Sequence, residues 1–255
     1  MSQHPEYSDG APCWADLSTP DLAGAMRFYG ALLGWSFDAP RPELNNYVTC
    51  RRDGQSVAGL MKAQPDMPIA WGVWLKSSDL EATARRITGA GGKVLMPGHA
   101  AAELGRMLVA LDVNGAFLGV WEPGQHRGAE RFDEPGAMCW NELYTRDGAA
   151  ADRFYREVFG YQQAQMGDPR EMDYMMYSCG GPPVCGRMQT DDGEEDPPSG
   201  WWAVFVVEDM DVAIATVRAL DGKLVRGPVE SEFGRIARVR DPYGAGFKLA
   251  QRPAR

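Results

Sequence analysis

One phrase opens two separate stretches of this chain. "CWADLSTPDLAGAMRFYGALLGW", Cys13–Trp35, returns as "CWNELYTRDGAAADRFYREVFGY", Cys139–Tyr161, with about half its positions identical and no gap. A repeat on the scale of half of 255 residues sets two related units rather than one large fold, since domains commonly run about 100–150 residues. Each copy begins with a strand-like run, Cys13–Thr19 or Cys139–Thr145, followed by Asp21 or Asp147 at a helix N-cap position. Ala25, Phe28, Tyr29, Leu32 and Leu33 then fall at helical spacing, as do Ala151, Phe154, Tyr155, Val158 and Phe159. Gly34 and Gly160 stand where a left-handed C-terminal residue is expected.

Three strand-like runs follow each helix, and the order strand, helix, three strands recurs inside each half. "AWGVWLKSSDLEATARRITGAGGKVL" with "LGRMLVALDVNGAFLGVW" is matched by "WWAVFVVEDMDVAIATVRALDGKLV" with "FGRIARVRDPYGAGFKLA". The chain therefore reads as four βαβββ modules, which pair to bury apolar surface that one module cannot cover. The stretch "EPGQHRGAERFDEPG", Glu122–Gly136, reads as a polar linker. The division is an N-terminal domain over 1–122, a linker over 123–136 and a C-terminal domain over 137–255. The acidic run Thr190–Gly200 reads as a solvated loop.

Composition narrows the partners. With 44% apolar and 24% charged residues the chain is that of an ordinary globular protein. A formal net charge of -9 disfavours nucleic acid and anionic membrane, both of which require clustered cations. No apolar signal-peptide core and no membrane-length apolar run is present, so a cytoplasmic protein is expected. The five cysteines are odd in number and form no CxxC, which argues against a disulfide framework or zinc knuckle.

"FYGALLGW" and "FYREVFGY" after a strand, with "DVNGAFLGVW" and "DPYGAGFKLA" closing each half, resemble the vicinal oxygen chelate superfamily of glyoxalase I, extradiol dioxygenases and bleomycin-binding proteins. More narrowly, the whole chain is similar to tandem glyoxalase-like proteins of actinobacteria, some labelled hydroxylases beside polyketide biosynthetic genes. The resemblance implies an α+β fold in which the four modules make two glyoxalase-like domains, each a curved mixed sheet around a cavity. In the metal-using members, strand His, Gln or Glu side chains hold a divalent ion. By that resemblance the opening-strand ligand position falls on Trp14 and Trp140, the next on Trp71 and Trp202, and the closing one on Gly119 and Lys248. Indole and ammonium groups donate hydrogen bonds and do not ligate cations, so neither a metal nor any other cofactor is expected. His99 and His4 stand in a loop and the tail, and His126, in the linker near the junction, is either a solvent-facing residue or one that reaches a cavity. Cys185, near a fourth ligand position, reads as apolar packing.

Alternation puts Trp14, Asp16 and Ser18 on one strand face and Cys13, Ala15, Leu17 and Thr19 on the other. If the second set packs under the helix, Trp14, Asp16, Trp71 and Phe117 line one cavity. Trp140, Glu142, Tyr144, Trp202 and Lys248 line the other. Strand tryptophans are more often core filler than ligand platform, and that alternative stays open beside the aromatic pocket. Asp16 and Glu142 are either paired surface carboxylates or acids with raised pKa serving as general acid–base groups. Lys248 is either a partner of Glu142 or a snorkelling residue. Tyr29 and Tyr155 read as core, and Arg106 and Arg235 as strand anchors or anion contacts.

Three functions compete at this level. The first is metal-free binding of an aromatic or polycyclic, polyketide-like metabolite for sequestration or delivery. The second is an enzyme of secondary metabolism, a cyclase, isomerase, lyase or hydroxylase, with Glu142 or Asp16 as acid–base. The third is a metal-dependent glyoxalase or dioxygenase. The expected partner is a small aromatic or hydrophobic metabolite, bound by a monomer with an internal pseudo-dimer or by a weak homodimer.

Overall fold

A computed structural model describes residues 6–65, 67–191 and 199–253; His4 and most of the acidic run, 192–198, lie outside the described residues. The first half contains β1 (Pro12–Thr19), α1 (Leu22–Leu33), β2 (Ser36–Phe37), β3 (Val48–Arg52), β4 (Gln55–Lys62), β5 (Ala70–Lys76), α2 (Leu80–Gly89), β6 (Lys93–Ala100), β7 (Gly105–Leu111) and β8 (Phe117–Pro123). The second contains β9 (Met138–Thr145), α3 (Gly148–Phe159), β10 (Gln162–Met166), β11 (Tyr174–Ser178), β12 (Pro183–Gln189), β13 (Gly200–Val206), α4 (Met210–Ala219), β14 (Lys223–Ser231), β15 (Gly234–Arg240) and β16 (Gly246–Gln251). The four βαβββ modules are thus present in sequence order. No described helix is long and apolar enough to cross a membrane.

Each half forms one mixed eight-stranded sheet, ordered β2-β3-β4-β1-β5-β8-β7-β6 and β10-β11-β12-β9-β13-β16-β15-β14. Two modules join through their first strands, β1 antiparallel to β5 and β9 antiparallel to β13. The helices start where their caps dictate. Asp21 accepts from the Gly24 N–H, Asp79 from Ala82, Asp147 from Ala150 and Asp209 from Val212. Gly34 and Gly160 end α1 and α3 at φ 67° and 72°, a conformation that only glycine adopts at low cost.

The helix-bearing faces of the two sheets share one core. Trp35 and Trp71 of the first half pack against Phe205 of the second, with ring centroids 5.5 and 5.0 Å apart. A reciprocal clamp crosses the same boundary. Tyr29 donates to Asp241 Oδ2 (3.2 Å) and accepts from Trp71 Nε1 (3.1 Å); Tyr155 donates to Asp112 Oδ2 (3.1 Å) and accepts from Trp201 Nε1 (2.9 Å). The other oxygens of Asp112 and Asp241 hold the turns before β8 and β16, accepting from the Ala116 and Ala245 N–H groups. The "FY" and "DVNG/DPYG" motifs are therefore halves of one fastening. Tyr155→Phe is expected to cost about 1–3 kcal/mol in urea unfolding, because the Trp201 N–H and an Asp112 oxygen lose their buried partner.

Two expectations change. A bulge interrupts the first strand of each sheet at Cys13 and Cys139, so both sulfurs sit on the concave side, in the clusters of Trp14 and Val204, instead of under the helices. The segment read as a linker is hydrogen-bonded into both halves, reaching the second through the Gly136 N–H and the Val206 carbonyl. Ala129 N–H bonds the Cys13 carbonyl, Glu130 N–H the Ser56 carbonyl, and Tyr7 the Ala129 carbonyl.

Candidate functional site

Strand pairing fixes what faces each concavity. In the first half Asp16 lies opposite Gly59 on β4 and Gly72 on β5, and Trp14 lies opposite Trp74. In the second, Glu142 lies opposite Gly186 on β12 and Trp202 on β13. Trp202 and Gly72 are therefore equivalents, and Trp71 is the equivalent of Trp201. Trp71 points away from the cavity into the shared core, bonded to Tyr29. The expected placement of Trp71 is one residue out of register, and Trp74 is the tryptophan that faces the cavity.

Both concavities contain the same hydrogen-bonded triplet. Trp14 Nε1 donates to the Tyr47 hydroxyl (2.7 Å), which donates to Asp16 Oδ2 (3.3 Å). Trp140 Nε1 donates to the Tyr174 hydroxyl (2.7 Å), which donates to Glu142 Oε1 (3.0 Å). Each phenol lies over a glycine: a Cβ on Gly59 or Gly186 would stand 1.8 or 2.1 Å from the Tyr47 or Tyr174 oxygen. Tyr47 and Tyr174 were not singled out from sequence. The signal was the isolated glycine in mid-strand, in "VAGLM" and "VCGRM", which marks a close approach.

The two carboxylates differ in what surrounds the triplet. Around Asp16 the walls are Trp14, Trp74, Trp121 and His126, and the open space is about 690 Å³. Burial raises the Asp16 carboxyl to about 6 against the opposing pull of the nearby Trp74 N–H and of the Tyr47 hydroxyl, and no salt bridge among the described residues reaches it. The Trp74 N–H faces the carboxylate without closing a bond of normal geometry and is left buried. The Trp74 indole lies across Gly119, where a Cβ would meet it at 2.7 Å. Phe117 stands behind it, edge-on at 6.2 Å.

Glu142 is fully engaged. Tyr144 (3.0 Å) and the Lys248 ammonium donate to Oε2, and Tyr174 donates to Oε1. Burial alone would raise this carboxyl, but the Lys248 charge and the three side-chain donors outweigh it and hold it below its ordinary range. Lys248 is thus an interior partner, 8% exposed. Trp202 stacks edge-on with Tyr144 at 5.7 Å and lies across Gly246, the glycine that replaces Phe117 in this half. The remaining space, about 380 Å³, is bordered by Tyr144 and Lys248, with Arg226 and Arg238. Trp140 is half-buried beside it, bonded to Tyr174.

His126 is not a solvent-facing linker residue. Its ring stands perpendicular to Trp14 at 4.3 Å and against Trp121 at 5.7 Å, closing the first cavity. Burial lowers its pKa to about 4, so the ring is neutral at pH 7, and its Nε2 has no hydrogen-bond partner. His99 lies on β6 at the same cavity. Arg106 pairs with Glu81 and Glu122, and Arg235 with Asp211 and Glu230, which makes both of them strand anchors.

The geometry can be set beside known proteins. The family model of the glyoxalase/bleomycin resistance protein/dioxygenase superfamily matches residues 137–249. The anthracycline biosynthesis protein DauV of Streptomyces sp. (strain C5) is 34% identical, over 96% of this chain and 94% of its own. The chain belongs to that superfamily. CFP32 of Mycobacterium tuberculosis, which carries a glyoxylase name, is 32% identical over 98% of this chain and 97% of its own. Among solved structures, the Mn(II)-bound glyoxalase from Novosphingobium aromaticivorans superposes with TM-score 0.68 at 14% identity, over 95% of this chain and 82% of that one. The 2,3-dioxygenase LapB from Pseudomonas sp. KL28 gives 0.65 at 16%, over 98% and 96%. These two likenesses concern the fold.

Several members of the superfamily hold a metal, so the donor set was tested for one. At the expected ligand positions, in the observed register, the first half has Trp14, Gly72 and Gly119, with the Asp16 carboxylate beside them and His99 and His126 elsewhere on the cavity wall; the second has Trp140, Trp202 and Lys248, with the Glu142 carboxylate. Among the described residues no group of three or more His, Cys, Asp or Glu side chains converges. These residues do not fit a divalent ion, which needs several lone-pair donors at once.

Proposed function

We propose that the first cavity binds a flat aromatic or polycyclic metabolite and that Asp16 moves a proton on it. The supporting observation is the difference between the two carboxylates. Glu142 is neutralised by its own lysine, whereas Asp16 stands in an aromatic cavity with a pKa near the range where a carboxylate both takes and returns protons. A volume of about 690 Å³ falls within the span of small-molecule pockets, and aromatic walls add about 0.5–1.5 kcal/mol per favourable ring pair.

The reaction class is proton transfer beside a carbonyl. Asp16 takes the C–H proton, the electron pair passes onto the carbonyl oxygen as an enolate, and the proton returns at another position. Atoms and electrons balance without an oxidant. The unpartnered Trp74 N–H is a donor for the developing oxyanion. Tyr47, held by Trp14, fixes the carboxylate. Neutral His126 offers a ring nitrogen to a ligand hydroxyl. The names of two relatives, DauV and DnrV, the latter 33% identical and from Streptomyces peucetius, refer to anthracycline biosynthesis; they support a polyketide-derived ligand and a role in secondary metabolism.

The test is a tryptophan-fluorescence titration with aromatic polyketides, followed by mass spectrometry of the recovered ligand after incubation in D₂O. Binding with deuterium entering carbon is expected. Binding with ligand recovered unlabelled and unchanged would instead establish sequestration or delivery. Stoichiometric iron, manganese, nickel or zinc in the purified protein would overturn the metal-free reading.

A further inference from the structure

We propose that the second cavity is a binding site for an organic carboxylate with a flat apolar body, anchored by Arg238. Three cations stand in register on adjacent strands, Arg226 opposite Arg238 and Arg238 opposite Lys248. Like charges set directly across a ladder repel. Lys248 is answered by Glu142. Arg238 is not: it is 6% exposed, lines the cavity, makes no hydrogen bond or salt bridge with the described residues, and leaves Nη2 buried and unpartnered.

Among the described residues the nearby acids do not complete it. Both Glu142 oxygens are taken by Tyr144, Tyr174 and Lys248. Asp191 stands on the exposed rim, with no salt bridge to Arg238 among the described residues. A buried guanidinium without a counter-charge is destabilising, and such a cost is recovered when a ligand supplies the anion.

The form of the anion follows from the walls. A guanidinium fork matches a carboxylate bidentately, while Tyr144, Met188, Val229 and Ile236 give the cavity an apolar side. The site is smaller than the first cavity, about 380 against about 690 Å³, and selects by charge, where the first selects by ring surface.

Calorimetric titration of the full chain with benzoate, acetate and inorganic phosphate, at matched ionic strength, tests this. Benzoate is expected to bind about tenfold or more tightly than acetate or phosphate, since only benzoate has both the carboxylate and the apolar body. Arg238→Met is expected to lower benzoate affinity about tenfold or more and, without any anion, to melt at a higher temperature than the parent. Arg170→Met removes one exposed cation elsewhere and is expected to leave the titration unchanged. Benzoate binding that survives in folded Arg238→Met, or no binding of benzoate to the parent, would overturn the site. Preference for phosphate would overturn the carboxylate assignment.

Discussion

Asp16→Asn is expected to lower turnover of a bound metabolite by about 10²–10⁴-fold, the usual contribution of a positioned acid–base group, with ligand binding retained. The same substitution is expected to raise stability at pH 7 by about 3 kcal/mol. The carboxyl titrates at about 6 in the folded chain, against an ordinary 3.8, and each unit corresponds to about 1.36 kcal/mol. The sign follows from linkage. Below about pH 3.8 the acid is neutral in both states and folding incurs no penalty. As pH rises from there to about 6 the unfolded chain ionises first, so stability falls across that window and is flat above it. Urea melts at pH 4 and pH 7 should therefore diverge in the parent by about 2.4 kcal/mol more than in Asp16→Asn, since part of the penalty is already present at pH 4. Equal divergence would mean that Asp16 is solvated and ionised as usual. A variant both more stable and inactive is the signature of a group kept for chemistry at the expense of the fold.

Arg187→Met is expected to destabilise the chain by about 3–5 kcal/mol, the cost of breaking a buried ion pair from one side. Arg187 is 1% exposed. Its guanidinium joins Asp152 (2.6 Å) and Asp173 (2.7 Å) and thereby ties α3 to β12. Tyr177 also donates to Asp152, at 2.6 Å, and among the described residues would be the one side-chain donor left to that carboxylate after the substitution. Equilibrium urea unfolding measures the loss. Arg170→Met, at a site 88% exposed, is expected to change stability by less than about 0.5 kcal/mol.

The frame of the molecule was readable because its signals are local and doubled. Asp caps, "RFY" helices, αL glycines and closing turns occur in both halves at the same spacing, so chance matches were improbable. The concave positions were harder. Trp14, Asp16, Trp140, Glu142, Tyr144 and Lys248 follow from simple alternation along β1, β9 and β16, and the structure places all of them on the concave side of their sheets. Trp71 failed because it was paired with Trp202, whereas the same distance before the capping Asp79 and Asp209 leads to Trp71 and Trp201, and one residue of slip sends a strand side chain to the opposite face. Arg238 and His126 carry no local signal of this kind: one depends on which strands neighbour β15, the other on how the 123–136 segment folds back. What separates Asp16 from Glu142 was legible only as an alternative, Lys248 as partner of Glu142 or as a snorkelling residue, and the contact in space decides it.

The Tyr–Asp fastening described above also bears on how the two copies have been able to drift apart after duplication. Each half completes the other's closing turn, so neither tyrosine and neither aspartate can change alone without loosening one of the two fastenings. The concave positions are under no such mutual obligation. Phe117 has become Gly246 where Gly72 has become Trp202, and Gly119 has become Lys248 where Trp74 has become Val204. Bulk removed on one strand has been restored on its neighbour. One shared skeleton thus carries two differently lined concavities, one aromatic and one cationic, behind an unchanged wall.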